Sequence, residues 1–419
     1  MAIFHDFIES QKSLGTLILQ PRMGFSDIVQ MKKGLSAVRA LGPNIIGTIT
    51  IDSYTRTLQL DKAKNAIESG QQLNGYPICY YSDTDNRALI AGLYTPEFPV
   101  QVRHGSPLPL HIIEKILMSG LDATEGGPIS YCLPYGRTSI ELTIKAWHES
   151  CVKFSNNGTN LNHVESFGGC MLGQLCPPSL LIVIGLLEGL FFENSGIQSL
   201  SLSFAQGSNS EQDEGAIMAL QRLASEYLFQ ASWHVVIYTF MGKFPLSRNG
   251  AKRIIQDSAK LAEKTNCARL IVKTAVEAKH IPAIVSNIEA IEWCQEVIGD
   301  FDPNFSPASL AFSTDIYTEA KSILETVLNL APTIHECIKQ AFIRGILDVP
   351  FCLHPDNRGN TSAWIDERGV IRWGVIGNVP IPKQTLNGTV ANLHQTSSGE
   401  FLDMLRFNQV KYDAVLDPL

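Results

Sequence analysis

The sequence predicts an α/β protein, a (β/α)8 barrel with a long insertion after its fifth strand and a small C-terminal α+β appendage. Three observations predict this fold class. Eight short apolar runs alternate with stretches of helical periodicity over residues 17–272. One interval between two of these runs is far longer than the others. Near residue 350 the composition changes, and Pro, Gly and Asn become frequent.

The predicted strands are short runs of apolar, mostly β-branched residues. Continuous apolar runs of this length are typical of parallel strands that are covered on both faces. The eight runs are residues 17–19, 45–51, 77–81, 100–102, 121–124, 200–204, 235–240 and 270–272. Eight strands with intervening helices over about 250 residues match the size of a (β/α)8 barrel.

Helices are predicted where apolar residues recur at helical spacing, as in residues 107–118, 215–229 and 250–264. The long interval, residues 126–199, contains two more helices, at 138–154 and 179–193, and a loop rich in Gly, Asn and Pro. Because long segments on the C-terminal side of a barrel strand usually build or cover the active site, we expect this interval to border the site.

The chain after the eighth predicted strand has a different character. Residues 281–347 are predicted to be helical, and a β-hairpin is predicted at 362–374 with its turn at 367–369. We therefore predict a catalytic barrel, residues 1–345, and a C-terminal appendage, residues 346–419.

Charge and cysteine usage narrow the partners and the compartment. The formal net charge is -8, which argues against nucleic acid or an anionic membrane as a partner, because both require a basic surface. The nine cysteines include no C-x-x-C pair, and residues 1–11 carry charges where a signal peptide would be apolar. These features favour the reducing cytoplasm, and no metal site is predicted.

Charged side chains follow several predicted strands at the end where a barrel carries its active site. Arg22, Arg56 and Arg103 follow the first, second and fourth runs, and Glu125 follows the fifth. Taken singly, each is typical of a loop residue. Together, three arginines at one barrel mouth would repel one another unless an anion joined them, and arginine binds carboxylates with paired hydrogen bonds. Glu125 would then face a substrate ammonium group or move a proton, so the residues predict a site for a small anionic amino acid without naming a reaction.

Read as motifs, these segments resemble the large subunit of the glutamate mutases, also called methylaspartate mutases. The motifs are QPRMG (20–24), TIDSYTR (50–56), LNGYP (73–77), QVRHGSP (101–107), EGGPISYCLPY (125–135), MGKFP (241–245), VKTAVEAKHIP (272–282) and DVPF…GNVP (348–380). They follow the family's order and span nearly the whole chain.

The resemblance implies roles for the site residues. The implied substrate-binding residues are Arg22, Arg56, Arg103, His104, Glu125, Tyr131 and Tyr135. The arginines match a trio that clamps two carboxylates, and His104 lies beside the substrate. Glu125 matches the carboxylate that meets the substrate amino group and handles its proton. Tyr131 and Tyr135 match tyrosines over the substrate and, with Glu125, are the implied catalytic residues.

Adenosylcobalamin is the cofactor that the resemblance implies. The implied lining residues are Gly24, Asn74, Pro134, Phe244 and Ile281, with Lys273 and Glu277 near the adenosyl ribose. The implied reaction interconverts L-glutamate and 3-methylaspartate. Homolysis of the cobalt–carbon bond starts hydrogen abstraction, a glycyl group migrates and the hydrogen returns. The cofactor carries the difficult chemistry, and the protein keeps the radical away from water.

The sequence contains no D-x-H-x-x-G motif, which in this family supplies the cobalt-ligating histidine from a separate small subunit. The resemblance therefore implies a shared cofactor, a small cobalamin-binding partner and a homodimer of large subunits within a heterotetramer. The chain also departs from the family. It is shorter before Arg22, between Arg56 and Asn74 and at the C-terminus, and Pro128 stands where the family typically has glycine.

Two alternative functions stay open. A paralogous cobalamin-dependent mutase could act on another acidic amino acid, because the clamp would fit any similar dicarboxylate. The barrel could also be a non-catalytic scaffold, although a scaffold has no need for three convergent arginines. The sequence does not indicate whether the pathway is catabolic or biosynthetic.

Overall fold

Eight parallel strands form the central sheet of the structure, a computed structural model that describes residues 2–134, 136–156, 161–276, 281–386 and 396–414. The strands are β1 (Ile18–Pro21), β2 (Gly47–Thr50), β3 (Val100–Arg103), β4 (Ala123–Gly126), β5 (His163–Ser166), β6 (Ser199–Ala205), β7 (Ser232–Tyr238) and β8 (Arg269–Val272). Each strand from β2 to β7 pairs with the strand that follows it, and β8 also pairs with β1. Between β1 and β2 the amide of Ile46 donates to the carbonyl of Leu19 at 3.2 Å. The predicted (β/α)8 barrel is confirmed.

Helices alternate with the strands and cover the outside of the barrel. They are α1 (Ile3–Ser13), α2 (Ile28–Arg39), α3 (Ser53–Arg56), α4 (Leu60–Glu68), α5 (Asp83–Ile90), α6 (Leu110–Ser119), α7 (Ile140–Ser155), α8 (Pro178–Asn194), α9 (Ser210–Tyr227), α10 (Arg248–Lys264) and α11 (Ile284–Gln295). Several begin at a side-chain cap, such as Ser139 for α7 and Ser247 for α10. Among the described helices, none combines the length and apolar character that a membrane span requires.

One of the eight predicted strands is wrong and one strand was missed. Residues 77–81 form a turn, in which the amide of Tyr80 donates to the carbonyl of Pro77 at 2.9 Å. The missing strand is β5, which lies inside the long interval 126–199. That interval is therefore a helix, a barrel strand and a second helix. The apolar-run criterion missed β5 because two of its four residues, His163 and Glu165, carry polar side chains into the barrel.

The interior of the barrel is polar. Arg269 of β8 is fully buried, and its guanidinium contacts the carboxylate of Glu165. It also donates to Oε1 of Gln20 at 2.5 Å and to Nε2 of His234 at 3.1 Å. The side-chain amide Nε2 of Gln101 donates to Oε2 of Glu165 at 3.3 Å. Because buried charges are tolerated only when they are paired and hydrogen-bonded, these contacts are what permit an ion pair here.

Helix α1 closes the N-terminal end of the barrel. Its apolar side chains Phe4, Phe7 and Ile8 form a small core with Ile18, at the start of β1, and its neighbours. The amide of Phe4 donates to the carboxylate of Asp122 at 3.1 Å, just before β4. With this end covered, the C-terminal ends of the strands are left as the place for a site.

The C-terminal part contains α12 (Pro307–Leu328), α13 (Ile334–Arg344), β9 (Ser362–Ile365), β10 (Ile371–Val375) and α14 (Ser398–Asp413). Strands β9 and β10 form the predicted antiparallel hairpin. Gly369 occupies its turn at φ 83°, a left-handed conformation that favours glycine. The hydroxyl of Ser208, in the loop after β6, donates to the carbonyl of Gly369 at 2.6 Å. The boundary between residues 345 and 346 stays a prediction.

Candidate functional site

An arginine–glutamate pair lies at the C-terminal ends of β3 and β4. Arg103 is the last residue of β3, and Glu125 is in the neighbouring β4. Nε of Arg103 lies 2.6 Å from Oε2 of Glu125, and both side chains are only 3% exposed. Nη2 of Arg103 donates to the hydroxyl of Tyr238 at 3.3 Å. Its third nitrogen, Nη1, is buried without a hydrogen-bond partner among the described residues, so it suits an anionic ligand.

Three donors converge on Glu125. Oε1 accepts from the hydroxyl of Tyr131, and Oε2 accepts from Arg103 and from Tyr238 at 2.7 Å. Burial raises the pKa of Glu125, but the charge of Arg103 and the hydrogen bonds from all three partners together lower the pKa by more than burial raises it. The net result is a pKa below the ordinary value, so Glu125 is a buried carboxylate held in its ionised form.

His104 follows Arg103 and is held as a neutral ring. Burial lowers the pKa of His104 to about 4, opposed by the charge of Glu125 and assisted by those of Arg103 and Arg56. Nδ1 accepts a hydrogen bond from the amide of Ser106 at 3.0 Å, so the ring proton must be on Nε2. Nε2 is buried without a hydrogen-bond partner in the described part of the chain. His104 therefore offers one N–H donor to a ligand.

The other two predicted arginines follow the neighbouring strands β2 and β1. Arg56 ends α3, which begins directly after β2 where Asp52 caps it. Its side chain packs against Gly105, where an added Cβ would lie 2.7 Å from Cδ of Arg56. Arg22 follows β1, and its Nη1 lies 3.4 Å from Sδ of Met241. The three arginines thus come from three adjacent strands, and their role as a carboxylate clamp stays a prediction.

Tyr131 lies in an aromatic cluster above Glu125. Its ring centroid is 5.3 Å from that of His104, 5.4 Å from that of Phe167 and 6.3 Å from that of Trp147. Tyr131 is only 2% exposed. The structure therefore brings together Arg103, His104, Glu125 and Tyr131, as the motifs predicted, while Tyr135 lies outside the described residues.

The loop that carries Tyr131 is held from below by Glu188 of α8. The Glu188 carboxylate accepts from the amides of Ile129 at 3.0 Å and Ser130 at 2.8 Å, and from the hydroxyl of Ser166 at 2.7 Å. Burial raises the pKa of Glu188 to about 7 against these hydrogen bonds. A Cβ on Gly127 would lie 2.0 Å from this carboxyl group, so only glycine fits there.

The residues predicted to line a coenzyme are more dispersed. Nζ of Lys273 lies 4.8 Å from the centroid of the Phe244 ring and donates to the carbonyl of Met241 at 3.4 Å. Oδ1 of Asn74 accepts from the amide of Ser53 at 2.9 Å, and Pro134 is half-buried.

Gly24 and Ile281 have contrasting environments. A Cβ on Gly24 would lie 2.2 Å from the carbonyl oxygen of Thr50, so packing alone already requires glycine there. Ile281 is 41% exposed, which leaves it accessible to a partner or ligand. Glu277 lies outside the described residues. Within the described ranges, no cluster of His, Cys, Asp and Glu is arranged to hold a metal ion.

Comparison with known proteins decides the family. The family model described as methylaspartate mutase E chain matches residues 1–406. The chain belongs to this family. It is 30% identical over 391 residues to the glutamate mutase epsilon subunit of Desulfitobacterium hafniense (strain Y51), covering 89% of this chain and 80% of that protein. It is 31% identical over 396 residues to the glutamate mutase epsilon subunit of Escherichia coli O157:H7, with the same coverage. The resemblance drawn from the motifs is confirmed.

A solved structure with a similar fold is a putative fructose-1,6-biphosphate aldolase from Coccidioides immitis. It overlaps 75% of this chain and 96% of its own length at 12% identity, with a TM-score of 0.35.

Four residues at the candidate site were not predicted. Tyr238, Glu165 and Arg269 lie behind Glu125 inside the barrel, and Glu188 lies under the Tyr131 loop. Two of them, Tyr238 and Glu188, were within segments predicted as an apolar strand and a buried helix, where a titratable residue stands out only once the facing strand is known. Their signal was the presence of a charged or phenolic side chain in an otherwise apolar segment.

Proposed function

We propose that this chain is the large catalytic subunit of a glutamate mutase, an isomerase that interconverts L-glutamate and 3-methylaspartate by a radical mechanism with adenosylcobalamin. Membership of the methylaspartate mutase E chain family supports the reaction class. The observation that supports an amino-acid substrate is the buried contact of Arg103 with Glu125. It puts a carboxylate-binding group and an ammonium-binding group side by side, as an amino acid requires.

The cationic side of the site would hold the substrate carboxylates. Nη1 of Arg103 and Nε2–H of His104 are buried donors that a carboxylate would satisfy. Arg56 packs against Gly105, and Arg22 follows β1, so two carboxylates could be held apart in one orientation. Fixing both ends of a dicarboxylate is what a migrating fragment needs in order to return to the correct carbon atom.

The anionic side of the site would bind the substrate amino group. Glu125 is ionised and only 2% exposed, and Tyr131 and Arg103 fix its two oxygens. An ammonium group would be a second cationic partner of Glu125, while Nη1 of Arg103 would bind the substrate carboxylate. Glu125 would hold the ammonium proton while the carbon skeleton rearranges. The aromatic rings around Tyr131 would exclude water from this exchange.

Residues beside this site fit a bulky coenzyme that is shared with a partner. When bound, adenosylcobalamin supplies an organic radical by homolysis of its cobalt–carbon bond. Lys273, held over Phe244, is a donor suited to ribose hydroxyls. The other residues that would hold the coenzyme are Gly24, Asn74, Pro134 and Ile281. Since the sequence has no D-x-H-x-x-G, we propose that a small cobalamin-binding subunit supplies the cobalt ligand.

Reconstitution tests the proposed function. The chain is mixed with adenosylcobalamin, a small subunit that carries D-x-H-x-x-G and L-glutamate, and 3-methylaspartate is measured. We expect product and hydrogen exchange between substrate and coenzyme, and neither when the small subunit is omitted. The absence of both in the complete mixture would overturn the proposal. A panel of other acidic amino acids tests for a paralogous specificity.

All nine cysteines are free thiols, which fits the proposed cytoplasmic location.

A further inference from the structure

Tyr238 connects Glu125 to a second carboxylate inside the barrel. It ends β7, and its hydroxyl lies 2.7 Å from Oε2 of Glu125 and contacts Oε1 of Glu165. The other oxygen of Glu165 contacts the guanidinium of Arg269. Two buried ion pairs, one at the site and one deeper in the barrel, are thus joined through one phenol oxygen.

The hydrogen-bonding capacity of Tyr238 does not match its surroundings. A phenol carries one proton, so Tyr238 can donate to Glu125 or to Glu165 but not fully to both. Whichever carboxylate lacks that proton faces the phenol oxygen as a second acceptor. The three groups therefore have a place for one additional proton, which would complete the chain of hydrogen bonds.

The charges around Tyr238 keep the phenol neutral. Burial raises the pKa of Tyr238, the charge of Arg103 opposes this, and the charges of Glu125 and Glu165 raise the pKa further. The ring is fixed by an edge contact with Phe167 at 5.5 Å. Tyr238 therefore keeps its own proton and can pass one on only by accepting another.

We propose that Tyr238 is a positioning residue that relays a proton between Glu125 and Glu165, and this rests on the proposed function of Glu125 as the acceptor of the substrate ammonium proton. When Glu125 has taken that proton, Glu125 donates it to the Tyr238 oxygen while the Tyr238 hydroxyl proton moves to Glu165. One O–H bond breaks and one forms at Tyr238, so the phenol is unchanged. The reverse transfer returns the proton to the substrate.

The relay stores the proton without solvent. Tyr238 and Glu165 are each 0% exposed, and Glu125 is 2% exposed. Arg269 stands on the far side of Glu165 and Arg103 on the near side of Glu125, so each carboxylate keeps a cation whichever of the two is protonated. A closed radical site benefits from this arrangement, because a proton lost to water would have to be recovered before the substrate could be re-formed.

Tyr238→Phe removes the hydroxyl and keeps the ring, and the reconstituted complex with its coenzyme and small subunit is the assay. We expect kcat to fall about 10- to 100-fold, the range of a hydrogen bond to a charged group, with KM for L-glutamate changed less than about threefold. We also expect the low-pH limb of kcat/KM to move to higher pH. Glu125 loses a hydrogen bond that favours its ionised form, and the ionised form is the one that receives the ammonium group.

The matched control is Tyr227→Phe. Tyr227 lies on the surface helix α9, where its hydroxyl also donates to a carboxylate, Oε1 of Glu325, at 3.2 Å. This variant should match the wild type in kcat and in its pH profile. An active Tyr238→Phe complex with unchanged kcat and an unchanged low-pH limb would overturn the relay and leave the proposed function standing. A wild-type complex without product would overturn the proposed function, and the relay with it.

Glu165→Gln tests the far end of the relay, because the amide keeps the size of the side chain but cannot take the proton. Residues that act as one unit have losses that do not multiply. We therefore expect the double variant Tyr238→Phe/Glu165→Gln to be no slower than the slower single variant. Losses that multiply would show that the two residues act separately and would overturn the relay.

Discussion

At the residue scale, the three nitrogens of the Arg103 guanidinium have different roles. It binds Glu125 through Nε and Tyr238 through Nη2, and Nη1 is the nitrogen that we propose binds a substrate carboxylate. A lysine has one ammonium group and cannot reproduce this planar fork. We expect Arg103→Lys to lower kcat/KM for L-glutamate by about 10- to 100-fold while the circular dichroism spectrum stays that of the wild type.

The matched control for this prediction is Arg222→Lys. Arg222 lies on α9 and is 62% exposed, and it binds Glu226 at 3.1 Å. Exposed pairs of this kind contribute about 0–1 kcal/mol, so this variant should retain both activity and stability. Near-normal kcat/KM in Arg103→Lys would contradict the carboxylate clamp.

His104 makes the fold sensitive to acid. Its pKa falls from an ordinary 6.5 in the unfolded chain to about 4 in the folded protein, so the unfolded state takes up a proton first as the pH falls. The stability is fully present above pH 6.5 and is lost as the pH falls towards 4. Between pH 7 and pH 5, His104 should lower the free energy of unfolding by about 2 kcal/mol. We expect His104→Asn to lack this contribution to the pH dependence. Urea unfolding at the two pH values measures it, and an equal loss in both proteins would contradict the assignment.

The sequence indicated some site residues and concealed others for one reason. Arg22, Arg56 and Glu125 stand out because a charge within a few residues after an apolar run is visible without knowledge of the neighbouring strands. Tyr238 lies within the run 235–240 and reads as another apolar strand residue. Whether a tyrosine in a strand faces a helix or a buried carboxylate depends on which strand lies across the barrel.

At the element scale, α8 positions the loop that carries Tyr131. Glu188 accepts from the amides of Ile129 and Ser130, two residues before Tyr131 at most. In Glu188→Leu these amides would be buried without an acceptor, and the loop would move. We expect kcat to fall about 100-fold, the cost of a displacement of about 1 Å at a reacting group. Glu188→Gln should retain most of the activity, because its oxygen can accept from the amides while its NH2 group donates to the serine hydroxyls.

Glu193→Leu is the control on the same helix. The Glu193 carboxylate also accepts from two backbone amides, those of Gln230 and Ala231, each at 2.9 Å. These residues precede β7, at the opposite end of the barrel from the site. Glu193→Leu should therefore lower the melting temperature without lowering kcat. Equal loss of kcat in the two leucine variants would contradict a specific role for Glu188.

The strand that the sequence missed shows the limit of pattern reading for an element. The run at 77–81 is apolar enough for a strand, yet it turns back after a single bridge to Ile51. β5 has two polar residues out of four and is central to the sheet. In a barrel with a polar interior, polar and apolar residues alternate along a strand, so a continuous apolar run is not required. The polar interior is a property of all the strands together.

At the scale of the whole molecule, the chain is expected to depend on a partner for its coenzyme. It has no D-x-H-x-x-G in its sequence, and no metal-binding cluster occurs in the ranges that the structure describes. We expect adenosylcobalamin absorbance to separate from the chain during gel filtration and to co-migrate with it once the small subunit is added. Tight retention by the chain alone would contradict a shared site. The same elution volumes test the predicted homodimer of large subunits.

Its family, its (β/α)8 class and the cluster of arginines could be read from the sequence by itself, because all three depend on local patterns and on motifs whose order along the chain is visible. The C-terminal hairpin was visible for the same reason, since a turn with glycine between two short strands is a local signal.

Only the tertiary structure decided which strands close the barrel and what lies behind Glu125. Glu165, Tyr238 and Arg269 are more than 30 residues apart from one another along the chain, and they meet because the closed sheet brings β5, β7 and β8 around one interior. Their partners, and the pKa of Tyr238, depend on burial and on facing charges. Those are set by the closed barrel, and no segment of the sequence contains them alone.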